Sequence, residues 1–532
     1  MESATANRGF RLKQDGPVTA ATVLILSSLS MMNKQAFIRN LLIRAALIVL
    51  PFMLLEGGMR VLEWGLRSLA APPTGQETLF EGNKLWQHEF FSRFRGVHRS
   101  DPLLIWAFKP NVRQPLFRTN SAGLLGPEIA REKPPGVYRI LLLGDSTPVG
   151  LGLQRRREAF GEQLIALLRL RHPDLTFELI NAAVSGYTSQ QGLLFLQHHG
   201  LPYAPDLVLT YFGNNDASVS GFISDRELVR RNARVVGVID LLRRLATYRL
   251  MEKLVLPLKK RLAGGAEREP VVRVPPEEYG HNLEQIIRLA REGGAVVAMV
   301  DVPVPLEWPA GLQFKQFANL RNLQGELVMA DRTQQQLKRK IAYAIDWQKF
   351  AAMHGQITRY SLSVFKSAYE DQGDIGENIA SYRETLLEDP HDAVSQNNLG
   401  VLYGKQGKYD EALDCLRRAV AEEPEYAVFH YNLGMTLKQA GRLAEARAAL
   451  VTARDLDYQS LRIKGPYVAQ LRELSARYAV PLVEADAAFE RAGRERLFVD
   501  HCHPTIEGHR IIAEQLAGLF EGGGPITPAG RR

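Results

Sequence analysis

Cysteine is almost missing from this chain: Cys415 and Cys502 are the only two in 532 residues. So few thiols exclude a disulfide-stapled scaffold and a Cys-rich metal framework, leaving at most one bridge between distant segments. No nucleotide-binding loop and no nucleic-acid-binding motif is present, so no cofactor, metal or nucleic-acid partner is expected. Acidic residues are in deficit, 58 against 66 Lys and Arg. The whole excess can be placed in residues 226–261, which hold eleven basic and three acidic residues interleaved with Val235, Val236, Ile239, Leu241, Leu242, Leu245 and Leu250. Such a segment is either an amphipathic surface for anionic lipid headgroups or a solvated helix with its apolar stripe on the core.

A long apolar run is also lacking. The longest near the N-terminus, residues 45–55, falls short of the roughly 20 residues needed to span a bilayer. Extending it over 37–64 reaches that length by admitting Arg44, Glu56 and Arg60. The two arginines can snorkel toward opposite faces, and Glu56 can pair with Arg60 at i,i+4. Lys34, Arg39 and Arg44 give the charge bias of a cytoplasmic flank. The expectation is a transmembrane signal anchor, with the N-terminus cytoplasmic and the rest periplasmic or otherwise extracytoplasmic. A cleaved signal peptide and a buried soluble helix are the alternatives.

What is there is a folded chain, 45% hydrophobic and 23% charged, long enough for two or three folded units. Asn398-Leu399-Gly400 recurs as Asn432-Leu433-Gly434, and Gly407, Ala412 and Ala419 recur as Gly441, Ala446 and Ala453. Each shift is 34 residues, the tetratricopeptide (TPR) period, in which small residues stand where two antiparallel helices cross. Two units are clear, and residues 361–390 form a degenerate first one. Helices such as 334–351 are expected to cap the stack, which either binds a protein partner or acts as a spacer. Cys415 is expected in the core of this stack.

Around the repeats, apolar runs end in small polar turns. Tyr138-Arg139-Ile140-Leu141-Leu142-Leu143 reads as a buried parallel strand ending at Gly144-Asp145-Ser146. Runs at 177–183, 207–212 and 296–300 read the same way, the first two ending near Gly186 and at Gly213-Asn214-Asn215-Asp216. Each strand is followed by a helical pattern, which argues a three-layer, doubly wound parallel sheet, flavodoxin-like, interrupted by an all-α repeat domain. Strand ends gather ligands in such sheets, so Ser146, Gly186 and Asn215 are expected on one rim. Far downstream, Asp500-His501-Cys502-His503-Pro504 supplies an acid and an imidazole three residues apart, the spacing of one helical turn.

These blocks resemble the SGNH (GDSL-type) esterase and lipase family over about 137–302 and again over 467–520. The resemblance implies that Ser146 is the nucleophile, His503 its base and Asp500 the acid that orients the base. It implies an oxyanion hole made by the Ser146 and Gly186 backbone N–H groups and the Asn215 amide. The chemistry fits: a serine hydroxyl is a weak nucleophile until a base takes its proton, and the O⁻ that develops needs aimed donors. Bland alternatives are a helix cap at Ser146, a turn glycine at Gly186 and a loop cap at Asn215. His501 is adjacent to Asp500 and is expected to point elsewhere, His509 lacks a suitably spaced acid, Cys502 lacks a separate base, and Asp145 is expected to bond its own turn. Ala183 departs from the family pattern, in which a glycine is common. The 285 positions from Asn215 to Asp500 must be accommodated without breaking the sheet.

The resulting organisation is a disordered leader over 1–36, the anchor over 37–64 and a membrane-proximal lead-in over 65–135. The hydrolase domain occupies 136–360 and 458–522, with the repeats at 361–457 between its parts and a tail at 523–532. The expected function is hydrolysis of an acyl ester on an envelope glycan or lipid, with an acyl-Ser146 intermediate. An O-acyltransferase of envelope polysaccharide and a non-catalytic TPR scaffold are the alternatives.

Overall fold

The computed structural model describes, with few gaps, residues 49–62, 97–232, 271–310 and 374–521, together with isolated positions such as Ala342 and Ala344. The chain divides into two compact units, residues 1–72 with 241–258, and residues 73–240 with 259–532.

In the second unit five parallel strands form one sheet in the order β4-β3-β5-β8-β9: β3 (Val137–Gly144), β4 (Thr176–Asn181), β5 (Leu207–Tyr211), β8 (Val296–Val300) and β9 (Leu482–Val483). Leu141, Leu142 and Leu143 on β3 are almost wholly buried, each removal from water contributing about 1.5–3 kcal/mol. Successive side chains of a strand point to opposite faces. Leu142 accordingly meets Gly161 of helix α2 (Phe160–Arg171), while Leu141 meets Gly200, beyond helix α3 (Ser189–Phe195). Both faces of the sheet are covered, as expected for three layers. Helix α12 (Ile506–Gly518) packs on α2, and α5 (Pro276–Glu292) packs on α3 and on α11 (Gly465–Tyr478). Two antiparallel ribbons flank the sheet, β1 (His98–Asp101) with β2 (Ile105–Phe108), and β6 (Val219–Gly221) with β7 (Val271–Val272).

Between β8 and β9 the chain builds its repeats. Helices α7 (Ala393–Lys405) and α8 (Tyr409–Glu422) form one unit, and α9 (Ala427–Gln439) and α10 (Leu443–Leu456) the next. Of the degenerate first unit only α6 (Ile375–Glu388) is described. Gly400 and Gly434 sit at the crossings: a Cβ there would come within 2.7 Å of Leu416 Cγ and Leu450 Cγ respectively. Cys415 is only partly buried, and both cysteines are free thiols.

The chain returns to the sheet beside the end of β5. Ile463 N–H donates to Asn214 Oδ1 at 2.8 Å, and a Cβ on Gly213 would strike Ile463 Cδ1 at 2.4 Å. The insertion therefore leaves the sheet intact and seals against the turn that carries Asn215.

Three expectations change. Ala342 and Ala344, inside the helix anticipated over 334–351, are not helical. Their main-chain groups bond to asparagines of the repeats, an energetic gain that overrides a good helical composition. The 500–503 segment is a loop rather than a helical turn, because the Asp500 carboxylate takes the Cys502 and His503 amides and β-bridging joins Phe498 to Pro504. Strand β9, only two residues long, is absent from the sequence reading.

In the first unit, residues 49–62 are helical and Leu50, Phe52, Met53, Leu54 and Leu55 are exposed. Glu56 pairs with Arg60 at 2.9 Å, the i,i+4 contact expected, and also accepts the Ala246 and Thr247 amides at 2.7 and 3.0 Å. No helix among the described residues is long and apolar enough to cross a membrane. Most of the remainder of the anticipated anchor, the 1–36 leader and most of the basic 226–261 segment lie outside the described residues; of the latter, helix α4 (Asp225–Asn232) is seen.

Candidate active site

Three neighbouring strands end in three turns, and each turn exposes one residue in an otherwise buried run. Ser146 follows β3, Gly186 follows β4 and Asn215 follows β5; all three are partly exposed, while their immediate neighbours are buried. Asp145 creates the first turn. Its Oδ1 accepts the Thr147 N–H at 2.9 Å and so caps the one-turn helix α1 (Ser146–Val149), leaving Ser146 as the first helical residue. The N–H groups of a first turn have no intrahelical acceptor, so this N-terminus faces the rim with donors.

Ser146 Oγ lies 2.7 Å from His503 Nε2, although the residues are 357 positions apart. His503 Nδ1 lies 2.7 Å from Asp500 Oδ2, while Asp500 Oδ1 holds the amides of Cys502 and His503 at 2.9 and 2.8 Å. Donation from Nδ1 to the carboxylate leaves Nε2 as the acceptor for the serine proton. Burial alone would push Asp500 up, but the charges of His503 and His501 and the hydrogen bonds outweigh it and hold the carboxyl far below its usual range. Burial would likewise push His503 down, and the Asp500 charge and hydrogen bond more than offset it, leaving the imidazole above its ordinary value.

The competing groups are elsewhere. His501 packs edge-on against Trp308, and burial lowers it to about 4. His509 Nδ1 accepts the Phe160 N–H, and burial lowers it to about 3. The Cys502 thiol lies 3.5 Å from His503 Nδ1, but burial pushes it well above its ordinary value, away from thiolate. Asp500, His501 and Cys502 bring one ligand atom each within 4.8 Å of one another. The Asp500 carboxylate is already committed to His503 and to two amides, so it serves the serine–histidine chain.

The turn around Gly186 is held by residues that the sequence reading passed over. Trp106 Nε1 donates to the Ser185 carbonyl at 3.1 Å, Arg273 Nη1 to the Gly186 carbonyl at 2.8 Å and Asn215 Nδ2 to the Tyr187 carbonyl at 3.1 Å. Gly186 has φ +83°, a left-handed conformation that favours glycine, and a Cβ would press on the Trp106 ring at 3.2 Å. Arg273 is itself fixed by the buried Asp225, at 2.8 and 3.1 Å, and Thr188 shares that carboxylate. Nothing in the local sequence pairs Asp225 with Arg273, which lie 48 positions apart. Asn215 Nδ2 also makes a long 3.4 Å contact to Asp145 Oδ2. Asp216 accepts the Ser189 amide that begins α3, and burial raises its carboxyl to about 7.

Residues 142–344 match the GDSL-like lipase/acylhydrolase family, and residues 397–457 match a tetratricopeptide repeat family. Asp500 and His503 fall outside the first match, in the loop that follows the repeats and the last strand of the sheet. A search of curated proteins gives no match. Similar solved structures include LAE5, an alpha/beta hydrolase enzyme from the metagenome of Lake Arreo, at 13% identity and TM-score 0.28, covering 72% of this chain and 97% of its own. An acetylxylan esterase from Geobacillus stearothermophilus, Axe2, is 12% identical at TM-score 0.28, with 72% and 95% covered. A GDSL-like lipase from Bacteroides thetaiotaomicron is 11% identical at TM-score 0.27, with 73% and 90% covered. With similarity this low, the family matches and the site geometry carry the reading. The chain carries a GDSL-like lipase/acylhydrolase domain, that of a carboxylic ester hydrolase, together with tetratricopeptide repeats.

Proposed function

We propose that Ser146 attacks the carbonyl carbon of an acyl ester while its proton passes to His503 Nε2, with Asp500 stabilising the imidazolium. The observation that carries this reading is the continuous chain from Ser146 Oγ through His503 to Asp500, both contacts at 2.7 Å. The developing oxyanion is received by the Ser146 and Gly186 N–H groups and by Asn215 Nδ2, whose long contact to Asp145 is the one an oxyanion would replace. His503 then returns the proton to the departing alcohol, leaving acyl-Ser146. Water attacks in turn, giving its proton to His503, which passes it to Ser146 Oγ as the acyl–oxygen bond breaks and the acid is released.

The substrate class we favour is an acylated glycan or lipid of the cell envelope, met outside the cytoplasm. The basic Lys34, Arg39 and Arg44 before an apolar segment, and the exposed Leu50, Phe52, Met53, Leu54 and Leu55, support attachment to a membrane through residues 37–64. The repeats supply a protein-binding surface.

A fluorophosphonate probe tests the nucleophile. The wild type is expected to be labelled and Ser146→Ala not at all, with kcat on a short-chain nitrophenyl ester falling about a million-fold. Labelling that survives in Ser146→Ala would sink the assignment. Comparing acetyl with long-chain esters then separates glycan-type from lipid-type substrates.

A further inference from the structure

The face that α7 and α9 present is occupied by the chain itself. Asn398 and Asn432 stand at equivalent places in successive repeats, and both are buried. Asn398 Oδ1 accepts the Ala342 N–H at 2.8 Å, and Asn432 Oδ1 accepts the Ala344 N–H at 2.8 Å. Asn432 Nδ2 donates to the Ala342 carbonyl at 2.8 Å, and Asn397 Nδ2 reaches the same oxygen at 3.4 Å. The three amides are also tied to one another, Asn432 to Asn397 at 2.8 Å and Asn397 to Asn398 at 3.0 Å.

Every hydrogen bond these asparagines make to Ala342 and Ala344 goes to main-chain atoms. Amide groups two residues apart face the same way in an extended chain, about 6.5–7 Å apart, so one step of the repeat matches two residues of ligand. Ala342 and Ala344 are 4% and 6% exposed and share an apolar cluster with Val394, Val401, Phe429, Tyr431 and Met435. Their burial leaves room for small side chains only.

We propose that this face is a clamp for extended main chain, occupied in cis by the same chain at Ala342 and Ala344. A partner protein is then recognised as an extended segment with small side chains at alternate positions, and it binds by displacing the resident one. The proposal is independent of the chemistry at Ser146, because its readout is binding.

The test uses a fluorescent peptide of residues 337–349 titrated into the intact chain. Ala342→Pro removes the N–H that Asn398 accepts. Ala344→Arg, a second means of ejecting the segment, puts a long cation in a buried place. The wild type is expected to bind the peptide at least tenfold more weakly than either variant. Adding Asn432→Ala to either is expected to weaken binding again by tenfold or more. Melting curves report that each variant is folded. Equal affinity for wild type and folded variants would overturn occupancy in cis. Failure of both folded variants to bind, or binding that ignores Asn432→Ala, would overturn the clamp.

Discussion

Ser185, Gly186 and Tyr187 each have their carbonyl oxygen held by a side chain from elsewhere, Trp106, Arg273 and Asn215. A peptide is planar, so the bond from Trp106 to the Ser185 carbonyl also sets the direction of the Gly186 N–H. Trp106→Phe keeps an aromatic ring at this position and removes that bond. It is expected to lower kcat on the order of tenfold with KM little changed; a KM effect alone would mean that Trp106 meets substrate rather than positioning the turn. Asn215→Ala is expected to cost about 10²–10³ in kcat, the usual loss for one oxyanion donor. The raised His503 fixes the acid side of the pH profile. Below its pKa the imidazole is protonated and unable to accept the Ser146 proton, so kcat/KM falls as pH falls through a value above the ordinary one for histidine. Asp500→Asn leaves burial dominant at His503. The residual activity, down about 10⁴-fold, should show its acid limb at lower pH; a limb that does not move would contradict the role given to the Asp500 charge.

The elements nearest the chemistry were the most legible. Continuous apolar runs ending in Gly144-Asp145-Ser146 and Gly213-Asn214-Asn215-Asp216 announce buried parallel strands with polar ends, and β3 and β5 lie there. Strand β9 was not legible, because two residues are too short for any periodicity. The Asp500–His503 spacing gave the right pairing and the wrong conformation, since an i,i+3 step also fits a loop closed by the aspartate's own amide bonds. The helix expected over 334–351 is not seen at its two described positions, 342 and 344, where contacts from the asparagines of the repeats override local propensity. Trp106, Arg273 and Asp225 act through partners 37–87 positions distant and carry no local signal. Among the repeats, Gly434→Ala would drive a methyl to within 2.7 Å of Leu450 Cγ and 3.1 Å of the Ala446 carbonyl. Overpacking of this kind costs about 1–3 kcal/mol, and a thermal melt should show the loss.

At the scale of the molecule, the repeats leave after β8 and rejoin at Ile463 without disturbing the order of the sheet. Residues 301–310 run between the two regions: Tyr431 of α9 donates to the Glu307 carbonyl, and Trp308 packs on His501 next to Asp500. Removing residues 1–64 should release the protein from membranes in a flotation assay while leaving ester hydrolysis intact; cofractionation of the truncated chain with lipid would argue against the anchor. The 357 positions between Ser146 and His503 also set a clock. Synthesis at about 5–20 residues per second separates the appearance of the nucleophile from that of its base by roughly 20–70 s. On the proposed mechanism, the growing polypeptide throughout that interval holds a serine with no proton acceptor. Activity begins only after both ends of the sheet have met.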